Sequence, residues 1–151
     1  MWIAGEWTDA EDGSTSDVLN PATGEVIATT PKATIADVER CVAASRAALN
    51  SKEWGAMDPA QRGRILQKMA AATYANAKSL AAIESSNNGK TFREALSEIR
   101  YGAWTLEYFA GLSDKIEGST IPVPGNRLNY TLRQPLGVTA HIVPWNFPLQ
   151  L

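Results

Sequence analysis

Four features of this 151-residue chain could do chemistry: one cysteine, one histidine, the run Asn88-Gly89-Lys90 and the pentapeptide Pro144-Trp145-Asn146-Phe147-Pro148. Cys41 is the only thiol and lies mid-helix between Arg40 and Val42. A nucleophilic thiolate needs a helix N-terminus or a histidine partner to lower its pKa, and no such partner adjoins Cys41. It reads as a passive, partly buried side chain. His141 sits inside an apolar run. Its type could serve as a general base, but a lone strand histidine reads more simply as a hydrogen-bonded filler. No Gly-x-Ser-x-Gly elbow is present, so a hydrolase built on His141 has no nucleophile. Asn88-Gly89-Lys90 lacks the other positions of a phosphate loop and is explained as a helix stop. Glu94, Glu98 and Glu107 are accounted for by capping and by solvated helix surface.

The pentapeptide is different, because it follows Val138-Thr139-Ala140-His141-Ile142-Val143, a mostly apolar run between Gly137 and Pro144. Such a run reads as a strand of a parallel sheet, covered on both faces. Ligands of open α/β sheets bind beyond the carboxyl ends of such strands. Two prolines stiffen the loop, and the main chain of Ile142, Val143 and Pro144 would line its approach. An asparagine held there can aim its amide at a developing negative charge. It can equally be a turn-former. From the residues alone both readings stand.

The elements that must position this loop follow from periodicity and caps. Trp2-Ile3-Ala4-Gly5-Glu6-Trp7 reads as two strand arms around a glycine turn. Val18-Leu19 and Glu25-Val26-Ile27 flank a second turn, Asn20 to Gly24. Ile35, Val38, Val42 and Leu49 mark one stripe of a helix. Asp58, Pro59 and Gln61 form a capping-box pattern for the next, whose apolar line runs Ile65, Leu66, Met69 and Thr73. Helix continues through Leu80 and Ile83 to a left-handed stop at Asn88-Gly89. Thr91 to Glu94 then caps a helix with two apolar stripes. One is Leu96, Ile99, Ala103, Leu106 and Ala110; the other is Tyr101, Trp104 and Tyr108. A helix apolar on two faces is expected to be clamped between layers, with those aromatics in the core. After about Lys115 the period becomes 2. Leu128, Tyr130 and Leu132 alternate with polar residues as in a strand with one buried face.

Composition removes several classes. Fourteen basic against sixteen acidic residues, a net charge of −2, disfavour a phosphate-tracking nucleic-acid binder. One cysteine and one histidine exclude an intrachain disulfide framework and a Cys/His metal cage, so no metal site is expected. No apolar stretch approaches the roughly 20 residues of a membrane span, and no secretory leader is visible. A cytoplasmic protein without membrane association is the expectation.

The pentapeptide, preceded by Gln134-Pro135-Leu136-Gly137-Val138, resembles the aldehyde dehydrogenase superfamily. Ile3-Ala4-Gly5-Glu6-Trp7, Asn20-Pro21-Ala22-Thr23-Gly24-Glu25-Val26, Arg62-Gly63-Arg64-Ile65-Leu66, Asn88-Gly89-Lys90 and Tyr108-Phe109-Ala110-Gly111 follow in family order. The resemblance covers essentially this whole chain but only about the first third of a typical member. It implies an α/β fold with a Rossmann-like cofactor domain. Residues 1–117 would form the first part of that domain. Residues 118–135 would be the strand entering an oligomerisation domain, and residues 136–151 the return carrying the loop.

The activity implied is NAD- or NADP-dependent oxidation of an aldehyde to a carboxylic acid. A cysteine thiolate forms a thiohemiacetal, and a glutamate-activated water later hydrolyses the thioester. Asn146 would donate to the oxyanion, and Ile142, Val143, Pro144 and Trp145 would line the cofactor cleft. A homodimer or homotetramer is implied for the complete protein. One departure concerns a monovalent cation: many relatives have an Asp where Asn87 stands. In the family the catalytic cysteine, the glutamate base, the ribose-binding lysine and a second glycine-rich turn lie beyond the position of residue 151. Cys41 matches none of them. The 151 residues alone are therefore expected to be inactive, as part of a longer enzyme or, alternatively, as a non-catalytic interaction module pairing through residues 118–135 with full-length subunits.

Overall fold

The computed structural model describes all 151 residues. The chain opens with a two-stranded hairpin of β1 (Trp2–Ile3) and β2 (Glu6–Trp7), in which Trp2 faces Trp7. Ala4 and Gly5 both take positive φ, the geometry that lets a two-residue loop follow the strand twist. A second antiparallel hairpin pairs β3 (Thr15–Leu19) with β4 (Val26–Pro31). Its turn is the expected one: the Gly24 N–H donates to the Asn20 carbonyl at 2.7 Å and the Ala22 N–H to Asn20 Oδ1 at 2.9 Å.

Five helices follow: α1 (Ile35–Asn50), α2 (Lys52–Gly55), α3 (Pro59–Ala75), α4 (Ala77–Asn88) and α5 (Phe92–Leu112). α1 starts on a capping box that the apolar pattern does not reveal. Thr34 Oγ1 accepts from the Asp37 N–H at 3.3 Å, while Asp37 Oδ2 accepts from the Thr34 N–H at 2.9 Å. Asp37 is buried. It also takes the Glu11 N–H at 3.2 Å and the Arg40 guanidinium at 2.5 Å, tying the β2–β3 connection to the helix. α3 begins at Asp58 and Pro59 as expected, but the Asp58 carboxylate accepts from the Ala60 N–H at 2.8 Å and Gln61 does not complete a box. The left-handed stop is at Gly89, φ 80°, where an added Cβ would also lie 2.9 Å from Pro21 Cγ in the β3–β4 turn.

Asp37 yields a pH-dependent expectation. The hydrogen bond from the Thr34 main chain, helped by Arg40, Glu11 and the Thr34 hydroxyl, outweighs burial and holds its carboxyl well below the usual carboxylate range. A lowered folded pKa contributes stability above the unfolded value near 3.8, and that contribution is lost as pH falls toward the folded value. Asp37→Asn should therefore lower the melting temperature near neutral pH, and its gap from the parent should close in acid. Thermal melts of both chains across the acidic range check this; equal melting temperatures at neutrality would contradict it.

α5 is the spine, packed on α3 along one side and α4 along another. Between α4 and α5 lie Ala77, Ala81, Ala95 and Ile99, with Leu80 and Leu96 against them. Small residues bring the backbones close. A Cβ on Gly63 of α3 would sit 2.7 Å from the Ala110 carbonyl oxygen of α5. The core is small, with 13 of 151 residues buried, and this sets the main departures from the expected pattern. Ile99, Ala103 and Ala110 are buried as expected, but Tyr101, Trp104 and Tyr108 form an exposed ladder, with ring centroids 5.4 and 6.1 Å apart. Ile35, Val38 and Val42 of α1 are exposed too. A stripe is buried only when another element covers it, and none covers these.

The same reason governs the segment after α5. Leu128, Tyr130 and Leu132 form no half-buried strand; one antiparallel bridge joins Tyr130 to Thr120, and both leucines are exposed. Residues 119–131 double back as a narrow ribbon, with the Ile121 N–H on the Asn129 carbonyl and the Thr131 N–H on the Ser119 carbonyl. Residues 138–143 form no strand and are exposed. A strand needs a neighbouring strand to form its ladder with, and no strand of the 151 residues pairs with this one.

Candidate functional site

The Pro144–Pro148 loop rests on the corner where α4 turns into α5. Within the loop the Phe147 N–H donates to the Pro144 carbonyl at 3.3 Å, and the Leu151 N–H to the Phe147 carbonyl at 3.2 Å. Leu149 lies over Gly102 of α5, where a Cβ would come within 2.9 Å of Leu149 Cδ2; the missing side chain leaves that seat.

The anchor is Lys90. Its main chain is fixed on both sides by the α4 end: its N–H donates to Asn88 Oδ1 at 3.0 Å, and its carbonyl accepts from Ser85 Oγ at 2.7 Å. Its ammonium meets Glu84 Oε1 of α4 at 2.7 Å, Glu98 Oε2 of α5, and the main-chain carbonyl of Asn146 at 2.5 Å. It also lies 4.6 Å from the centroid of the Phe147 ring. The Lys90 side chain is 14% exposed and that of Glu84 only 5%. Burial pulls the lysine pKa down, but the hydrogen bonds and charges of Glu84 and Glu98 outweigh it, so the ammonium is held above its usual range. The Asn88 amide nitrogen beside this corner is buried without a partner.

Glu98 is thus no part of a solvated helix face, and Lys90 is more than the residue after a helix stop. Sequence reasoning missed this cluster, together with Glu84. The three residues lie six and eight positions apart across a helix break, so no helical period links them.

The residues singled out from the sequence divide into two groups. Asn146 is half-buried and enters the cluster through its carbonyl, leaving its side-chain amide out of that contact. Ile142, Val143, Pro144 and Trp145 are exposed, Ile142 at 99% and Trp145 at 82%. His141 is exposed rather than a core filler and shares a 3.0 Å hydrogen bond with Thr139 Oγ1. Cys41 is half-buried in a groove whose other lining residues are Trp2, Ile3, Ala4, Gly5 and small residues of α1, none of them a base. Asn87 is exposed at the end of α4. No helix is long and apolar enough to cross a membrane.

Known proteins resemble the chain along nearly its whole length. The chain is 42% identical over 155 residues to the mitochondrial 10-formyltetrahydrofolate dehydrogenase of Homo sapiens, covering 99% of this chain and 17% of that protein. The crystal structure of an aldehyde dehydrogenase from Brucella melitensis biovar abortus 2308 superposes with a TM-score of 0.93 at 42% identity, over 98% of this chain and 30% of that one. PnpE from Pseudomonas sp. WBC-3, solved also in complex with nicotinamide adenine dinucleotide, gives a TM-score of 0.93 at 43% identity, over 99% of this chain and 30% of its own. The chain therefore spans less than a third of the length of these relatives. The model of the aldehyde dehydrogenase family matches residues 7–151, from the first hairpin through the Lys90-anchored loop, and the chain belongs to that family.

Proposed function

We propose that these 151 residues are the N-terminal part of an NAD(P)-dependent aldehyde dehydrogenase that oxidises an aldehyde to a carboxylic acid through a cysteine thiohemiacetal. The observation that carries this reading is the family match across residues 7–151. In it, residues 1–117 begin the cofactor domain, 118–135 lead to the oligomerisation domain of a homodimer or homotetramer, and 136–151 return with the loop. A cytoplasmic location goes with the same reading.

Within the chain, Asn146 is the side-chain donor to the oxyanion that forms when the thiolate attacks. Its carbonyl is committed to Lys90, so loop anchoring and amide donation fall to different atoms of one residue. Ile142, Val143, Pro144 and Trp145 line the cofactor cleft. Their chemistry fits a neutral ring or sugar: Ile142 and Trp145 offer open apolar surface beside main-chain groups, and no cation stands in residues 142–151. Bound NAD(P) supplies the two-electron acceptor for the oxidation.

A second reading, a non-catalytic module pairing with full-length subunits, draws on the ribbon at 119–131, where Ile121, Leu128 and Tyr130 are exposed. Both readings expect the 151 residues alone to be inactive, since Cys41 stands in an apolar groove without a base. Incubation with NAD or NADP and a panel of aldehydes, following the absorbance of the reduced nicotinamide, tests the first reading. The full-length parent should turn over and the 151-residue chain should not. Turnover by the short chain that disappears with Cys41→Ser would overturn the reading.

A further inference from the structure

We propose that Lys90 is the positioning residue for Asn146: gripped by Glu84 and Glu98, it fixes the carbonyl of Asn146 and the ring of Phe147 and so sets where the Asn146 amide is presented. The inference rests on the oxyanion-donor reading of Asn146 given above.

An ammonium has three N–H donors and no acceptor. Here each of the three has an oxygen: one from α4, one from α5 and one from the loop. Glu84 and Glu98 belong to the helix pair that forms the core, so they form a rigid base for the lysine. The third donor can then act as a stop for the loop, bridging a sequence distance of 56 residues. The aromatic face of Phe147 beneath the cation gives a second point of contact on the next residue. Two points on consecutive residues, with Pro144 and Pro148 limiting the flanking φ angles, restrain the orientation of the peptide bearing the Asn146 side chain. Leu149 seated over Gly102 holds the following turn.

The arrangement is larger than an ion pair needs. Two carboxylates meet one ammonium, and the remaining donor is spent on an uncharged carbonyl of a distant segment. A pair serving only to join α4 and α5 has no use for that third contact. Donors that stabilise a developing oxyanion act by being held in place beforehand, and a displacement of about 1 Å from a change away from the chemistry can cost on the order of 10²-fold in rate.

The test is a double-mutant cycle in the full-length enzyme, read by the single-turnover acylation rate. Lys90→Met should slow acylation on the order of 10- to 100-fold. Lys90→Arg, which keeps the cation over Phe147 and a donor toward the carbonyl, should recover much of that loss. In an Asn146→Ala background Lys90→Met should add little, because the group it positions is gone. If Lys90→Met lowers only the melting temperature, or if its rate factor multiplies in full with that of Asn146→Ala, Lys90 does not act through Asn146 and the inference is overturned. If Asn146→Ala alone leaves acylation unchanged, the oxyanion reading has failed, and the role of Lys90 falls with it. Should Lys90→Met not accumulate as folded enzyme, Lys90→Gln enters the same cycle with the same criteria.

Discussion

Asn146→Ala in the full-length enzyme should slow acylation by about 10²- to 10³-fold, the loss of about 2.7–4 kcal/mol of transition-state stabilisation typical of one missing oxyanion donor. The competing account makes Asn146 a turn residue whose amide serves the loop. Its loss would then lower stability by roughly 0.5–1.5 kcal/mol and spare the chemistry. The structure sharpens the contrast, because the loop is anchored by the Asn146 carbonyl, which alanine retains, and by Phe147 and Leu149. The melting temperature and the affinity for the cofactor should therefore change little. Single-turnover kinetics with a saturating aldehyde, beside a thermal melt, separates the two accounts. Acylation within a few-fold of the parent together with a lowered melting point would make Asn146 a turn residue.

Ile99→Ala should have the largest effect on stability. Ile99 is the largest apolar side chain wholly inside the core and stands where α4 meets α5 among Ala77, Ala81, Ala95, Leu80 and Leu96. Truncating a buried isoleucine typically costs about 2–5 kcal/mol, through lost transfer energy and the cavity left behind. The buried neighbours here are alanines, so they have little side chain with which to fill the space. Unfolding in denaturant should show a midpoint well below that of the parent. The exposed Leu136→Ala is the control and should shift stability by less than about 0.5 kcal/mol. Equal effects of the two substitutions would mean that the α4–α5 core does not limit stability. Because Glu84 and Glu98 sit on these same helices, loosening them should also disturb the seat of Lys90.

What the sequence by itself determined is what depends on neighbours within a few residues. The Asn20–Gly24 turn and the left-handed Gly89 form as read, and Asp58 and Thr91 cap their helices, though neither capping box is completed, the Glu94 carboxylate accepting from the Thr91 hydroxyl; each is closed by hydrogen bonds or φ preferences inside one short stretch. The family was legible for a related reason, since its short motifs stand in order along the chain. The tertiary structure decided which apolar stripes are covered. The residue pattern of α5 is equally apolar on its Ile99 and Trp104 sides, yet only the first meets α3 and α4. Residues 138–143 have the composition of a buried strand, but a strand is made by ladder partners outside itself. The Lys90 cluster is the extreme case. Glu84, Lys90, Glu98 and the Asn146 carbonyl come from two helices, their connecting turn and a loop 56 residues onward, and only the packing of α4 on α5 brings three oxygens around one ammonium.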